Sequence, residues 1–244
     1  AQSGAPLDDV QAAMEVPSLA LGLTVDPAGQ SLSGQADYRV HASAPLDRVH
    51  FDLDPRFAVS RVAVDGRSLA PGAWTNDGGL LKIALPAPLA AGQEATVTIA
   101  YAGRPFIAPR APWEGGIVWS RTPDGQPWVA TAVQGFGCDL FWPCLDYPTK
   151  RVGVLDFSIR VPQGLTAAAN GRLLGSETAD GWTTWRWRAR QPNDYGVSLQ
   201  IGQYELAETH FASRFGNSVP IQFWHLKGHG QQAARLTGEM DEFL

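Results

Sequence analysis

The stretch Glu94-Ala-Thr-Val-Thr-Ile-Ala-Tyr101, "EATVTIAY", decides the fold class. Ala95, Val97, Ile99 and Tyr101 fall on one face of an extended chain and Thr96, Thr98 and Ala100 on the other, because successive side chains of a strand point to opposite sides. A strand patterned this way buries one face and wets the other, as antiparallel sheets do. "WTTWRWRAR" (182–190) repeats the device: Trp185, Trp187 and Ala189 share a face, and Arg186, Arg188 and Arg190 line the opposite one.

Outward from these two runs, similar short runs separated by turn residues fill the chain. They read as strands at "LALGLTV" (19–25), "ADYRVHA" (36–42), "DRVHFDL" (47–53), "AVSRVAVDG" (58–66) and "LLKIAL" (80–85). Further strands are expected at "GIVWSR" (116–121), "WVATAV" (128–133), "VLDFSIRV" (154–161), "VSLQIGQY" (197–204) and "IQFWHL" (221–226). Helical periodicity is almost absent, so the body is all-β, with two or more packed antiparallel sheets. Only the last segment changes character. In "GQQAARLTGEMDEFL" the residues Ala233, Leu236, Met240, Phe243 and Leu244 recur at steps of three and four, which predicts an amphipathic helix. With nothing after it to pack on, that helix implies a sequence stopping inside a second domain, the boundary falling near Leu206 to Phe211.

Composition narrows the function classes. The 244 residues, 44% hydrophobic and 18% charged, can bury a sizeable core. A net charge of -5 without blocks of like charge offers no footprint for nucleic acid or an anionic membrane. No apolar run approaches the roughly 18 residues of a membrane span. The opening "AQSGAP" lacks Met, so either a leader has been removed or the sequence begins inside the gene; a small-residue start suits an export cleavage site, which favours a periplasmic or secreted protein over a cytoplasmic one. Cys138 and Cys144 are too few for a disulfide framework and are expected as buried thiols, the alternative being a bridge across a tight hairpin.

"HLKGH" (225–229) spaces two histidines as in the helical zinc motif HExxH. Leu226 replaces the general-base Glu, however, and the preceding "VPIQFWHL" alternates as a strand does. Four strand residues span roughly 13 Å, too far for two ligands of one ion, so His225 and His229 are read as a strand running into a turn at Gly228 and Gly230. His41, His50, Asp52 and Asp54 crowd neighbouring strands. Two carboxylates on one face could do acid–base work or bind calcium, but the pattern equally describes a solvated sheet face ending in a turn at Pro55.

"QGFGCDLFWPCLDYPTKR" (134–151) is the least generic passage. Pro143 and Pro148 lock φ on either side of Asp146, whose carboxylate can accept main-chain N–H bonds in a turn. Phe141 and Trp142 are expected to anchor this stiff loop in the core, and such loops on β scaffolds position binding residues.

The pattern aromatic-Pro143-Cys144-x-Asp146-x-Pro148-x-Lys150 follows Thr131-x-x-Gln134 and "YAG" (101–103), and precedes "VP" (161–162), "ANG" (169–171) and "GQY" (202–204). Together these resemble the N-terminal β domain of the M1 family of zinc aminopeptidases, from about Leu19 to Leu226. The resemblance implies a saddle-shaped β body (residues 1–206) covering one side of a thermolysin-like α/β catalytic domain, of which residues 207–244 would be the first strand and helix. That catalytic domain carries HExxH, a third Glu ligand for zinc and a GxMEN loop that binds the substrate's free amine. None of these is read in this sequence: "GEMDE" (238–242) imitates GxMEN but sits in the amphipathic helix, where Met240 is a core position. No catalytic residue, metal site or cofactor is therefore assigned within the 244 residues, and zinc belongs to the complete protein. The implied partners are the catalytic domain of the same chain and a peptide substrate.

One family role carries over by position. Gln134 falls where the family has a Glu or Gln that contacts the substrate's α-amino group, and a carboxamide oxygen can accept such a bond. From the residues alone, Gln134 reads equally as a polar strand-end residue satisfied by main chain. Where the family commonly has Arg four residues before Pro-Cys this sequence has Asp139, and Thr-Gln-x-Glu appears as Thr131-Ala-Val-Gln134. A rival reading starts from the nine tryptophans: a stand-alone secreted β-sandwich that stacks exposed Trp rings on a glycan or peptide. Coplanar, exposed rings on one sheet face would support it.

Overall fold

The computed structural model describes residues 3–240. A single-turn helix α1 (Asp9–Ala12) precedes β1 (Met14–Asp26), β2 (Ser31–Ala42), β3 (Leu46–Asp52), β4 (Phe57–Val64), β5 (Arg67–Ser68) and β6 (Trp74–Asp77). Next come β7 (Leu80–Leu89), β8 (Glu94–Gly103), β9 (Gly116–Arg121) and β10 (Pro127–Ala132). After a long loop follow β11 (Val152–Pro162), β12 (Thr166–Ala169), β13 (Arg172–Ala179), β14 (Trp182–Arg190) and β15 (Leu199–Gly202). A hairpin of β16 (Tyr204–Ala212) and β17 (Ser218–Leu226) leads into α2 (Gly230–Glu239). Among the described residues no helix is long and apolar enough to cross a membrane.

The main sheet has eight strands in the order β13-β14-β11-β1-β2-β8-β4-β5. Its neighbours are antiparallel except β1 and β11, which run parallel from Val16 opposite Val152 to Thr24 opposite Arg160. The alternation read from the sequence is what builds its inner face. On β8, Ala95, Val97, Ile99 and Tyr101 are buried, as are Leu19, Leu21, Leu23 and Val25 of β1 and Leu155, Phe157, Ile159 and Val161 of β11. Each Val, Leu, Ile or Phe among them contributes about 1.5–3 kcal/mol by leaving water. A three-stranded sheet, β3-β7-β6, and a four-stranded one, β12-β15-β10-β9, complete the body. β10 brings the chain to Gln134.

The hairpin of β16 and β17 forms a sheet of its own. β16 runs unbroken through residues 206–211, the span read from sequence as a domain boundary. The hairpin meets the main sheet through Trp224, whose ring packs edge-on against Trp185 and Trp187 at centroid distances of 6.2 and 5.9 Å. Those rings are therefore core. Their indole N–H groups donate to the Leu165 and Ala167 carbonyls, and the near-perpendicular stacking does not make the coplanar exposed platform of the rival reading.

Helix α2 corrects the expected stripe. Ala233 and Thr237 face inward, while Leu236 is 42% exposed and Met240 only half-buried. The helix rests on the hairpin through one narrow i,i+4 line, on which Thr237 satisfies its hydroxyl at the Ala233 carbonyl. Phe243 and Leu244, and the Asp241 and Glu242 of "GEMDE", lie outside the described residues. Gly228 makes the expected turn at φ +87°, but Gly230 begins the helix.

Candidate functional site

The loop between β10 and β11 is built as a clamp. After β10 the chain reverses at residues 133–137, where the Phe136 and Gly137 N–H groups both donate to the Val133 carbonyl. Gly137 sits at φ +96°, and a Cβ there would lie 2.1–2.4 Å from the Asp146 carboxylate; only glycine lets the two ends of the loop close this tightly. A 3₁₀ turn, Cys138–Leu140, then drives Phe141 and Trp142 fully into the core.

Three anchors hold the descending half. Cys144 exchanges main-chain hydrogen bonds of 2.8 and 2.9 Å with Asp52 at the end of β3. The hydroxyl of Tyr101 donates to the Phe141 carbonyl at 2.9 Å, and that of Tyr38 to the Pro143 carbonyl. Cys138 and Cys144 are joined in a disulfide, which corrects the expectation of separate thiols. A six-residue separation carries no signal for bonding by itself; the 3₁₀ turn brings the two Cα atoms to 6.2 Å, within bonding range.

Carboxylates gather beneath the loop. Asp52 accepts from the Asp146 N–H and the Gln11 side chain at 3.0 and 2.9 Å, and burial raises both carboxyls above the usual range. Asp139, the departure from the family's Arg, is buried and pushed up to about 7 by burial and by the nearby Asp146, Asp52 and Asp54. Asp194 is likewise pushed up to about 7 by burial. Lys150 donates to the Met14 carbonyl at 2.6 Å, and burial lowers its ammonium. The motif residues Pro143, Cys144, Asp146 and Pro148 are thus structural members of one clamp.

The other sequence candidates do not converge. His50 pairs with Asp8 at 2.7 Å, His41 lies 3.8 Å from Glu94, and Asp54 pairs with Arg56. His225 is the penultimate residue of β17, with Nδ1 3.0 Å from the Leu226 carbonyl oxygen, and His229 precedes α2. Among the described residues no three His, Cys, Asp or Glu side chains come together as metal ligands.

What the clamp presents is Gln134. Its side chain is exposed, its carbonyl accepts from the Gly115 N–H at 3.1 Å, and its Oε1 lies 3.4 Å from the Tyr195 hydroxyl. Tyr195 borders a cavity of about 380 Å³ together with Gly135, Asp146, Pro148 and Asn193. The sequence reading missed Tyr195 and Asn193; "QPNDYG" (191–196) announces only a turn. Residues 16–193 match the family model of the peptidase M1 N-terminal domain.

The chain belongs to that family. No curated protein sequence matches it. Among solved structures, this M1 N-terminal domain is similar to an M1 zinc metallopeptidase variant from Deinococcus radiodurans bound to a Tyr-Ser-Ala substrate, at 25% identity and a TM-score of 0.72. That likeness covers 88% of this chain and 48% of the other. A two-domain M1 zinc metallopeptidase variant bound to L-tryptophan matches at 25% identity and 0.71, over 88% of this chain and 49% of the other. The M1 zinc metallopeptidase from Deinococcus radiodurans shares the fold at 23% identity and 0.70, over 88% and 48%. The chain spans about half the length of these neighbours.

Proposed function

We propose that this domain covers the substrate cleft of a zinc-dependent M1 aminopeptidase and seats the substrate's free amino group with Gln134. The observation that carries the reading is an exposed carboxamide in the turn that leads into a disulfide-closed, doubly tyrosine-capped loop, beside a cavity. A neutral acceptor held rigidly can take a bond from an ammonium without first ordering itself, which is what preorganised binding requires. The neighbours' substrate and amino-acid complexes support a peptide with a free N-terminus as the ligand class.

Zinc supplies an activated water in such enzymes. In this reading the ion belongs with the catalytic domain, the partner this domain walls. The reading expects the 244 residues alone to hydrolyse nothing and to hold no stoichiometric zinc, which elemental analysis and an amino-acid anilide assay of the purified chain test directly. Export to the periplasm or medium is part of the proposal, supported by a disulfide that persists in oxidising compartments.

The decisive experiment is Gln134→Ala in the complete enzyme. Loss of a bond to a charged group predicts a KM for amino-acid anilides raised roughly tenfold or more, with kcat less affected. An unchanged KM would remove Gln134 from the amine site.

A further inference from the structure

A carboxamide is a two-ended group: Oε1 accepts, Nε2 donates, and a half-turn of the last torsion exchanges them at little cost. An exposed glutamine aimed at an ammonium would thus present the repelling end much of the time unless something holds it. In this domain Tyr195 is placed to hold it. Its hydroxyl reaches Gln134 Oε1 at 3.4 Å, while its ring is 37% exposed at the rim of the cavity.

Tyr195 is itself fixed by a chain of bonds that starts in the clamp. The Asn193 side chain donates to the Pro148 carbonyl at 2.8 Å and accepts from the Tyr195 N–H at 3.1 Å. The Gly196 N–H returns to the Asn193 carbonyl at 2.9 Å, and Asn170 donates to the Gly196 carbonyl at 2.9 Å. On its other side, Gln134 is pinned through its main chain to Gly115. Both partners of the Tyr195–Gln134 contact are therefore held by main-chain scaffolding, and the contact spans 61 residues of sequence.

We infer that Tyr195 is a positioning residue for the amine site, its hydroxyl donating to Gln134 Oε1 and so restricting the carboxamide's rotation. The inference rests on the proposed role of Gln134. With the hydroxyl proton on one lone pair of Oε1, the second lone pair remains as an acceptor. The arrangement also accounts for why the turn at residues 193–196 is tied to Pro148: it transmits the rigidity of the clamp to the reading group.

The test compares Tyr195→Phe in two backgrounds of the complete enzyme. With Gln134 present, the variant raises KM for amino-acid anilides roughly fivefold, the worth of one neutral hydrogen bond, and leaves kcat nearly unchanged. With Gln134→Glu, Tyr195→Phe changes KM by less than about twofold, because a carboxylate has two equivalent acceptors and needs no orienting. An equal rise in both backgrounds makes Tyr195 merely structural and overturns the inference, as does no rise in either. Gln134→Ala run alongside separates the two readings: if it leaves KM unchanged, the amine role fails and the positioning role with it. If it raises KM while Tyr195→Phe does nothing, only the positioning role fails. A readout independent of activity uses the 244-residue chain. Nitrogen-labelled Gln134 should show a side-chain amide pair shifted from free glutamine, collapsing toward free values in Tyr195→Phe; identical spectra would overturn the contact.

Discussion

Asp52 and Cys144 exchange a reciprocal pair of main-chain hydrogen bonds, 2.8 and 2.9 Å, across a sequence gap that includes β4, β5 and β8 of the main sheet. This two-residue bridge joins the edge of the three-stranded sheet to the loop that presents Gln134. Asp52 strengthens it, because its carboxylate accepts the N–H of Asp146 two residues further on. The bridge turns a long connection into a rigid part of the scaffold, and the predictions below test its supports.

Tyr101→Phe keeps the ring in the core and removes only the hydroxyl that caps the Phe141 carbonyl. The carbonyl, buried and left without that donor, costs about 1–3 kcal/mol. Urea unfolding should show the midpoint lowered with the slope unchanged. A midpoint equal to the parent's would mean the carbonyl finds another donor.

The disulfide closes a loop of six-residue separation, and the chain-entropy model assigns a loop of that size roughly 2 kcal/mol. Replacing Cys138 and Cys144 together by alanine should lower stability by about that amount. Thiol titration of the unfolded, unreduced parent should find no reactive sulfhydryl; detection of two would contradict the bridge.

Stability should depend on pH through Asp139 and Asp194. Both carboxyls are held near 7 in the folded state by burial first of all, against about 3.9 unfolded. Between those values the folded chain keeps protons that the unfolded chain has lost. Their contribution is therefore complete below about pH 4, falls as pH rises from there and is lost above 7. Asp194→Asn should flatten this fall. Denaturation midpoints at pH 5 and 7.5 check it, and a variant as pH-sensitive as the parent would exclude Asp194 as a source.

Much of this was legible in advance. Strand positions follow from period-2 patterning, a local property each strand carries in its own residues, so Ala95 to Tyr101 and Trp185 to Ala189 announced their faces. The anchoring of Phe141 and Trp142 was legible from the aromatic pair beside Pro143, and the family from the spacing of Gln134, Pro143, Cys144, Asp146 and Pro148. Helix α2 was legible as a helix but not in its buried line, since period alone does not say what lies opposite. Leu236 faces outward because the hairpin beneath is narrow.

The sequence by itself determined the all-β body, the stiffness of the 134–151 loop and the family to which the chain belongs. Only the tertiary structure decided that β1 lies parallel to β11, that Cys138 meets Cys144, and that Tyr195 stands beside Gln134. The physical reason is range. Alternation, proline rings and turn residues act within a few bonds of themselves, whereas a pairing across 61 residues exists only after the sheets have packed and brought two distant turns to one rim.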